Sequence, residues 1–166
     1  MDNEIVSQEI LKKWLYYNHT VGQFYWRHAK GNTKPWQKAG AMDAYGYISI
    51  KFMNKFYKAH RLAWLYVHGE MPKGEIDHVN RIKNDNSIEN LRVATRKENN
   101  ENKLANKNNL SGLKGVSFDL KNKTWFARIM NNGKVHRLGT FSTPEDASKA
   151  YIEAAKTFHT HNAVDA

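Results

Sequence analysis

The run from Glu75 to Asn99 constrains the fold more than any other part of the chain. Glu75-Ile-Asp-His-Val-Asn has the character of a strand, and a polar loop, Arg81-Ile-Lys-Asn-Asp-Asn-Ser-Ile-Glu-Asn90, leads to a second, Leu91-Arg-Val-Ala. Thr95-Arg-Lys-Glu98 has the spacing of a capping box, in which Thr95 accepts from first-turn amides and Glu98 reaches back to the Thr95 amide. A helix is therefore predicted to start at Arg96. Strand, polar loop, strand and capped helix make a ββα unit. Its notable side chains are Asp77 and His78 on the first strand, Asn90 before the second, and Asn99 at the start of the helix. Asp77 and His78 are neighbours, so a regular strand points them to opposite sides. A strongly twisted or irregular hairpin would still bring both toward one phosphate.

The preceding segment predicts a helix near the start, with Ile5, Ile10, Leu11, Trp14 and Leu15 close to one face. Short aromatic pieces follow, among them Gly22-Gln-Phe-Tyr-Trp. Gly46-Tyr-Ile-Ser-Ile-Lys-Phe alternates as a strand, Asn54-Lys55 reads as a turn, and Phe56-Tyr-Lys-Ala-His as a returning strand. His60-Arg-Leu-Ala-Trp-Leu-Tyr-Val-His reads as a buried helix ended by Pro72 and Gly74. The Asn- and Lys-rich stretch around 102–111 reads as a linker. Beyond it, Lys114-Gly-Val-Ser-Phe-Asp, Thr124-Trp-Phe-Ala-Arg-Ile-Met and Lys134-Val-His-Arg-Leu-Gly-Thr-Phe read as three strands, with Asn131-Asn-Gly133 as a hairpin turn. Thr143 as N-cap, Pro144 at the first position and Glu145-Asp146 behind it start a helix with an alanine-rich face.

Charge narrows the partner. The chain of 166 residues carries 26 Lys and Arg against 16 Asp and Glu, a formal charge of +10, with pI near 9.7. Neutralising phosphates releases condensed counterions, so a polyanion is the expected partner. The longest apolar run, Leu62 to Val67, is far too short to span a bilayer. The opening Met1-Asp-Asn-Glu lacks the basic-then-apolar pattern of a leader, so a cytoplasmic location and no membrane partner are expected. The chain has no cysteine, which excludes disulfides and Cys-ligated zinc.

An Asp-His pair on a strand is ordinary surface chemistry by itself; the surrounding pattern is what makes it a candidate site. Hydrolysis of a phosphodiester needs water deprotonated near neutral pH, which suits His78. It needs the extra charge of the transition state stabilised, and the leaving oxygen neutralised by a hard cation. Mg²⁺ takes one or two protein oxygens and completes its shell with phosphate and water, a need that Asp77 and Asn99 fit.

Ile76-Asp-His-Val-Asn, Asn84-Asp-Asn-Ser-Ile-Glu-Asn-Leu-Arg and Thr95-Arg-Lys-Glu-Asn-Asn together resemble the HNH homing endonucleases of phages, of the ββα-metal type. Lys58-Ala-His-Arg-Leu-Ala-Trp also looks like that family, and the resemblance spans roughly residues 20–105. It implies that His78 activates water and that Asp77 and Asn99 bind one Mg²⁺ or Mn²⁺ per active site. Asn90 would hold the hairpin loop. Many relatives end the motif in His; here Asn99 stands there, with Asn100 and Asn102 as adjacent amides. His60 reads as a structural histidine that contacts backbone, with an accessory catalytic role as its alternative. Arg61 reads equally as a phosphate contact or an ion-pair partner. Arg81, Arg92 and Arg96 are further candidate DNA contacts.

In the last third, alternation puts Trp125, Ala127 and Ile129 on the face that suits the helix, and Thr124, Phe126 and Arg128 on the other. With Lys114, Lys123 and Arg137 nearby, that outer face suits a DNA groove. Lys114-Gly-Val, Trp125-Phe-Ala-Arg-Ile and Leu138-Gly-Thr-Phe-Ser-Thr-Pro-Glu-Asp-Ala resemble the Apetala-two DNA-binding domain over residues 111–160. Ser117 and Asp119 stand where that family usually has arginines, so no target sequence carries over. His159-x-His161 lacks a third ligand and is not read as a metal site.

The expected fold class is α+β. A ββα-metal HNH nuclease domain (1–105, core about 74–105) is followed by a linker (106–111) and a small three-stranded sheet plus helix domain (112–166). The expected function is metal-dependent hydrolysis of double-stranded DNA by a phage-encoded homing-type enzyme. One site cuts one strand per binding event, so a nicking monomer is expected; double-strand cutting would need a dimer or two events. The alternatives are a non-catalytic sequence-specific DNA-binding regulator and a structure-selective or RNA-directed nuclease. A-form RNA hides its major groove from a sheet module, which disfavours the last.

Overall fold

The computed structural model describes residues 6–29, 31–106 and 108–159. Ile5 and His161, named above, lie outside them. The chain separates into two compact units, Met1–Arg96 and Lys97–Ala166. The expected linker at 106–111 thus falls inside the second unit.

The first unit opens with α1, Gln8–Trp14, whose N-cap Ser7 accepts a hydrogen bond from the Ile10 amide at 3.2 Å. The helix is shorter than its apolar periodicity suggests. Leu15 turns to extended backbone and starts β1, Leu15–Asn18, which pairs antiparallel with β2, Gln23–Trp26. The reason is that Leu15 and Tyr17 bury on the same strand face as Phe24 and Trp26, so two-residue periodicity takes over from helical periodicity there. A second sheet, in the order β3–β4–β5, holds β3 (Ala41–Met42), β4 (Ile48–Phe52) and β5 (Lys55–Lys58). Its hairpin turns on Met53 and Asn54, both at positive φ, rather than on Asn54-Lys55. The returning strand stops at Lys58, and Ala59 and His60 already belong to α2, Ala59–His68.

α2 buries Leu62, Ala63 and Leu65 in the core formed with Leu11, Leu15, Phe24, Ile50 and Phe52. It ends at Gly69, whose left-handed φ of 83° lets its amide bond the Leu65 carbonyl, three and five residues before the expected Pro72 and Gly74 stop signals respectively. Then come β6, Glu75–His78, a short 3₁₀ turn at Ile88–Asn90, β7, Leu91–Ala94, and α3, Arg96–Asn102. β6 and β7 are antiparallel, with Asp77 opposite Arg92 and His78 opposite Leu91. The ββα order and the start of α3 at Arg96 match the sequence reading.

The second unit holds an antiparallel sheet in the order β10–β9–β8: β8 (Val116–Asp119), β9 (Thr124–Asn131) and β10 (Lys134–Phe141). Asn132 and Gly133, both at positive φ, make the two-residue turn between β9 and β10. Helix α4, Pro144–Phe158, is capped by Thr143, which accepts from the Asp146 amide at 3.2 Å. Ala127 and Ile129 of β9 pack beneath Ala147, Tyr151 and Ala155 of α4, as alternation predicted. Among the described residues no helix is long and apolar enough to cross a membrane.

Candidate active site

His78 ends β6 and is almost fully buried. Its Nε2 lies 3.2 Å from Oδ1 of Asn86, a residue of the loop that is itself 1% exposed. The Asn86 amide is oriented because its Nδ2 donates to the Asn84 carbonyl at 3.3 Å, which turns Oδ1 toward the imidazole. An amide oxygen can only accept, so Nε2 must carry the hydrogen and Nδ1 the lone pair. The geometry therefore selects one tautomer, with Nδ1 as the basic atom. Burial lowers the His78 pKa, against the opposing pull of Asn86, Asp77 and Asp85, and this favours the neutral ring that a base requires.

The loop that carries Asn86 is held from several sides. Tyr17 on β1 donates its hydroxyl to the Asn86 carbonyl at 2.6 Å. Asn90 accepts from the Asn80 amide at 2.9 Å and donates to the Asp85 carbonyl at 2.8 Å, and its own carbonyl accepts from Val79 at 2.9 Å. Asp85 bonds Ser87 and Asn80, which hold its carboxyl below the usual range despite burial. Gly22 lies so close that an added Cβ would come within 2.3 Å of the Asn86 carbonyl carbon. Asn86, Tyr17 and Gly22 were not singled out from sequence. Asn86 stands in a run of polar residues where nothing marks one above another, and Tyr17 acts from 69 residues away.

His60 on α2 faces the same imidazole. The two rings are perpendicular, with centroids 5.1 Å apart. The ring of Tyr47 lies 5.4 Å from His60 and 6.0 Å from His78. Lys58 and Lys83 flank Tyr47, their ammonium groups 5.4 and 5.1 Å from the ring centre. Lys58 is ion-paired with Asp43, and the Lys83 ammonium donates to the Tyr45 carbonyl at 3.0 Å. The backbone contact expected of His60 is not what the structure holds, because its Nδ1 is buried without a hydrogen-bond partner. Burial, with His78, Arg61 and Lys58 adding to it, pushes its pKa down to about 3 from an ordinary 6.5. A histidine depressed in the folded state binds its proton more readily unfolded, so its contribution to stability is complete above pH 6.5 and is lost as pH falls toward 3. In that window each such group removes about 1.4 kcal/mol per pH unit. Chemical denaturation of His60→Gln between pH 7 and 4 should show a shallower loss of stability than wild type. Parallel curves would refute this.

Asp77 is buried on β6, and Arg92, its partner across the hairpin, donates from Nε (2.9 Å) and Nη2 (2.7 Å) to its Oδ2. The guanidinium expected on DNA is thus engaged with the candidate ligand. Arg61 donates to the Gly74 and Pro72 carbonyls at 3.2 and 3.0 Å, which holds its guanidinium against the segment between α2 and β6. Arg81 sits at a positive φ of 65° in the loop, and its amide donates to the His78 carbonyl at 2.9 Å. Arg96 is exposed at the start of α3, and Asn99, half-buried on that helix, belongs to the second unit. Among the described residues no three His, Cys, Asp or Glu gather to hold a metal. The donors present therefore do not suit a closed zinc site, whereas a buried carboxylate suits a hard cation that takes its other ligands from phosphate and water.

On the second unit, Lys114 donates to the Asn100 and Glu101 carbonyls and so stitches that unit together. Arg128 and Arg137 remain on the outer face as register partners on β9 and β10. Their guanidiniums lie 6.0 and 5.6 Å from the ring of Phe126. Like charges directly opposite destabilise a sheet unless an anion lies over them. Lys123 is exposed at the β8–β9 turn.

A buried imidazole beside a carboxylate on a ββα element, and a basic sheet on a helix, together define a nuclease joined to a DNA-binding module. Comparison with known proteins agrees. A family model described as HNH endonuclease matches residues 57–101, and one described as AP2 domain matches residues 111–161. The chain belongs to the HNH endonuclease family and carries an AP2 domain after the nuclease segment; the family implies metal dependence and a DNA partner. Protein 3.8 of Escherichia phage T7 is 38% identical over 90 residues, which are 52% of this chain and 74% of that protein. No solved structure matches the chain.

Proposed function

We propose that this protein is a homing-type endonuclease that nicks double-stranded DNA as a monomer, with His78 as the general base. The observation that carries the reading is the fixed tautomer of His78, buried and aimed by Asn86. Nδ1 takes the proton of the attacking water. Lys83, beside Tyr47, would favour the approach of the phosphate. Asp77 would hold one Mg²⁺ or Mn²⁺, and the resemblance assigns Asn99 the second protein oxygen. When bound, the cation neutralises the leaving 3′ oxygen. The expected ends are 5′-phosphate and 3′-hydroxyl.

The test is cleavage of supercoiled plasmid carrying a candidate target, with Mg²⁺ and with EDTA. Open circles that appear only with the metal support the proposal. Tight binding of that target with no cutting in Mg²⁺ or Mn²⁺ makes the protein a non-catalytic DNA-binding regulator.

Arg92 supplies a test of Asp77 that does not depend on cutting. Arg92→Ala removes the guanidinium from a buried carboxylate, at a cost of about 3 kcal/mol. Millimolar Mg²⁺ should then raise the melting temperature of the variant more than that of wild type. Equal responses would remove Asp77 from the metal site.

The AP2 domain holds the duplex through the outer face of β9 and β10. Phosphate contacts would supply affinity, and a few base contacts site choice. Arg128→Ala with Arg137→Ala should weaken duplex binding about tenfold or more and flatten the dependence of log affinity on log salt by about 2. An unchanged salt slope would place the DNA elsewhere.

A further inference from the structure

A second aromatic and cationic surface lies on the first unit, on the side of the β1–β2 hairpin opposite the core. Tyr16 and Tyr25 are register partners there, their ring centroids 6.3 Å apart. Trp36 meets Tyr16 edge-on at 5.8 Å, and the Arg27 guanidinium lies 5.7 Å from the Tyr16 ring. Trp36 is 58% exposed and Tyr16 37%. Trp36 is also held at a φ of 62°, which is costly for a bulky side chain, by hydrogen bonding of its amide to the Trp26 carbonyl at 2.6 Å. A chain selected for stability alone would neither expose this indole nor strain its backbone.

Charge indicates what covers it. From residue 10 to residue 42 the chain contains Lys12, Lys13, Arg27, Lys30, Lys34 and Lys38 and no Asp or Glu. Lys34 and Lys38 are exposed on either side of Trp36. Flat exposed rings among cations, without carboxylates, are what unpaired bases and their phosphates require, because every base has a face to stack and every link a charge. Paired bases keep their faces inside the duplex and cannot stack in this way. A protein partner would leave the cations unmatched unless it were acidic.

We infer that Trp36, Tyr16 and Tyr25 form a stacking platform for unpaired bases of single-stranded DNA, with Arg27, Lys34 and Lys38 tracking its backbone. The inference rests on DNA as the partner and is separate from the AP2 sheet, which takes duplex. Such a platform would retain the strand end released by a nick or bind a locally opened target.

The test is fluorescence anisotropy of the full chain with labelled 15-mer oligo(dT) and with a labelled duplex of equal length, in EDTA at one salt concentration. Trp36→Ala and Tyr16→Ala should each bind oligo(dT) about tenfold more weakly and duplex within about twofold of wild type. Trp36→Phe, which keeps a ring, should recover most of the loss. If Trp36→Ala does not fold, Trp36→Gly suits the positive φ and removes the same ring. Oligo(dT) affinity unchanged in these variants overturns the inference, as does an equal loss for both DNAs, which would mean that the surface reads phosphates alone. Tighter binding of oligo(U) would make RNA the ligand, and dimers lost in Trp36→Ala at constant DNA affinity would make the platform a contact between copies; either overturns it. Failure of wild type to bind duplex counts against DNA as the partner, whereas duplex binding without oligo(dT) binding counts against the platform alone.

Discussion

Replacing His78 with alanine is expected to slow DNA nicking by roughly 10²–10⁴-fold, the usual worth of a positioned general base, while duplex affinity changes little. The imidazole is buried, its Nε2 is bonded to Asn86, and its Nδ1 holds the lone pair. Alanine removes that lone pair and leaves the Asn86 oxygen without the imidazole, which costs some stability. Single-turnover nicking and filter binding on the same preparations separate the two effects. A variant that nicks within a few-fold of wild type would transfer the base to another group, and His60, 5.1 Å away, would be the first to examine. A variant that loses binding and cutting together would show that His78 supports the fold rather than the chemistry.

Gly22→Ala should be the most damaging small substitution in the first unit, and its damage should reach the active site. Gly22 has a φ of 66°, and an added Cβ would lie 2.3 Å from the Asn86 carbonyl carbon and 2.3 Å from the Ser87 amide nitrogen. Both are backbone atoms, so no side chain can swing away. Steric overlap and the left-handed conformation together should cost about 2–4 kcal/mol. To accept the methyl group, the loop must move, and Asn86 must move with it. His78 then loses the group that selects its tautomer, and misplacement of about 1 Å is enough to cost about 10²-fold in rate. Gly31→Ala is the control: its φ of 58° is similar, but nothing lies within 4 Å of the added atom. It should show only the conformational cost. Thermal melts and nicking assayed well below the transition would distinguish the two variants. If Gly22→Ala melts and cuts like Gly31→Ala, the packing of the loop against β1–β2 does not control His78.

Much of the second unit was legible because its signals are local. The Asn131-Asn-Gly133 turn, the two-residue alternation of β9 and the Thr143-Pro144 start of α4 each depend on residues a few positions apart. In the first unit, local signals competed. Leu15 fits the helical face of α1 and also the inward face of β1, and the strand prevailed because Tyr17, Phe24 and Trp26 bury with it. The last residue of α2, His68, was legible, but its stop was assigned to Pro72 and Gly74, and only the left-handed backbone of Gly69 shows which residue ends the helix.

By itself, the sequence determined the ββα order, the placing of Asp77 and His78 side by side on β6, the net positive charge that calls for a polyanion, and the sheet-and-helix module. These follow from periodicity, capping and composition, which act over a few residues or over the whole chain. The tertiary structure decided how those residues are used. It set Asn86 and Tyr17 around His78, brought His60 within 5.1 Å of it, engaged Arg92 and Arg61 internally, and left Arg128 and Arg137 facing outward over Phe126. Each of these depends on groups that are distant in sequence and meet only when the core closes, and hydrogen-bond direction and desolvation have values only once that neighbourhood exists.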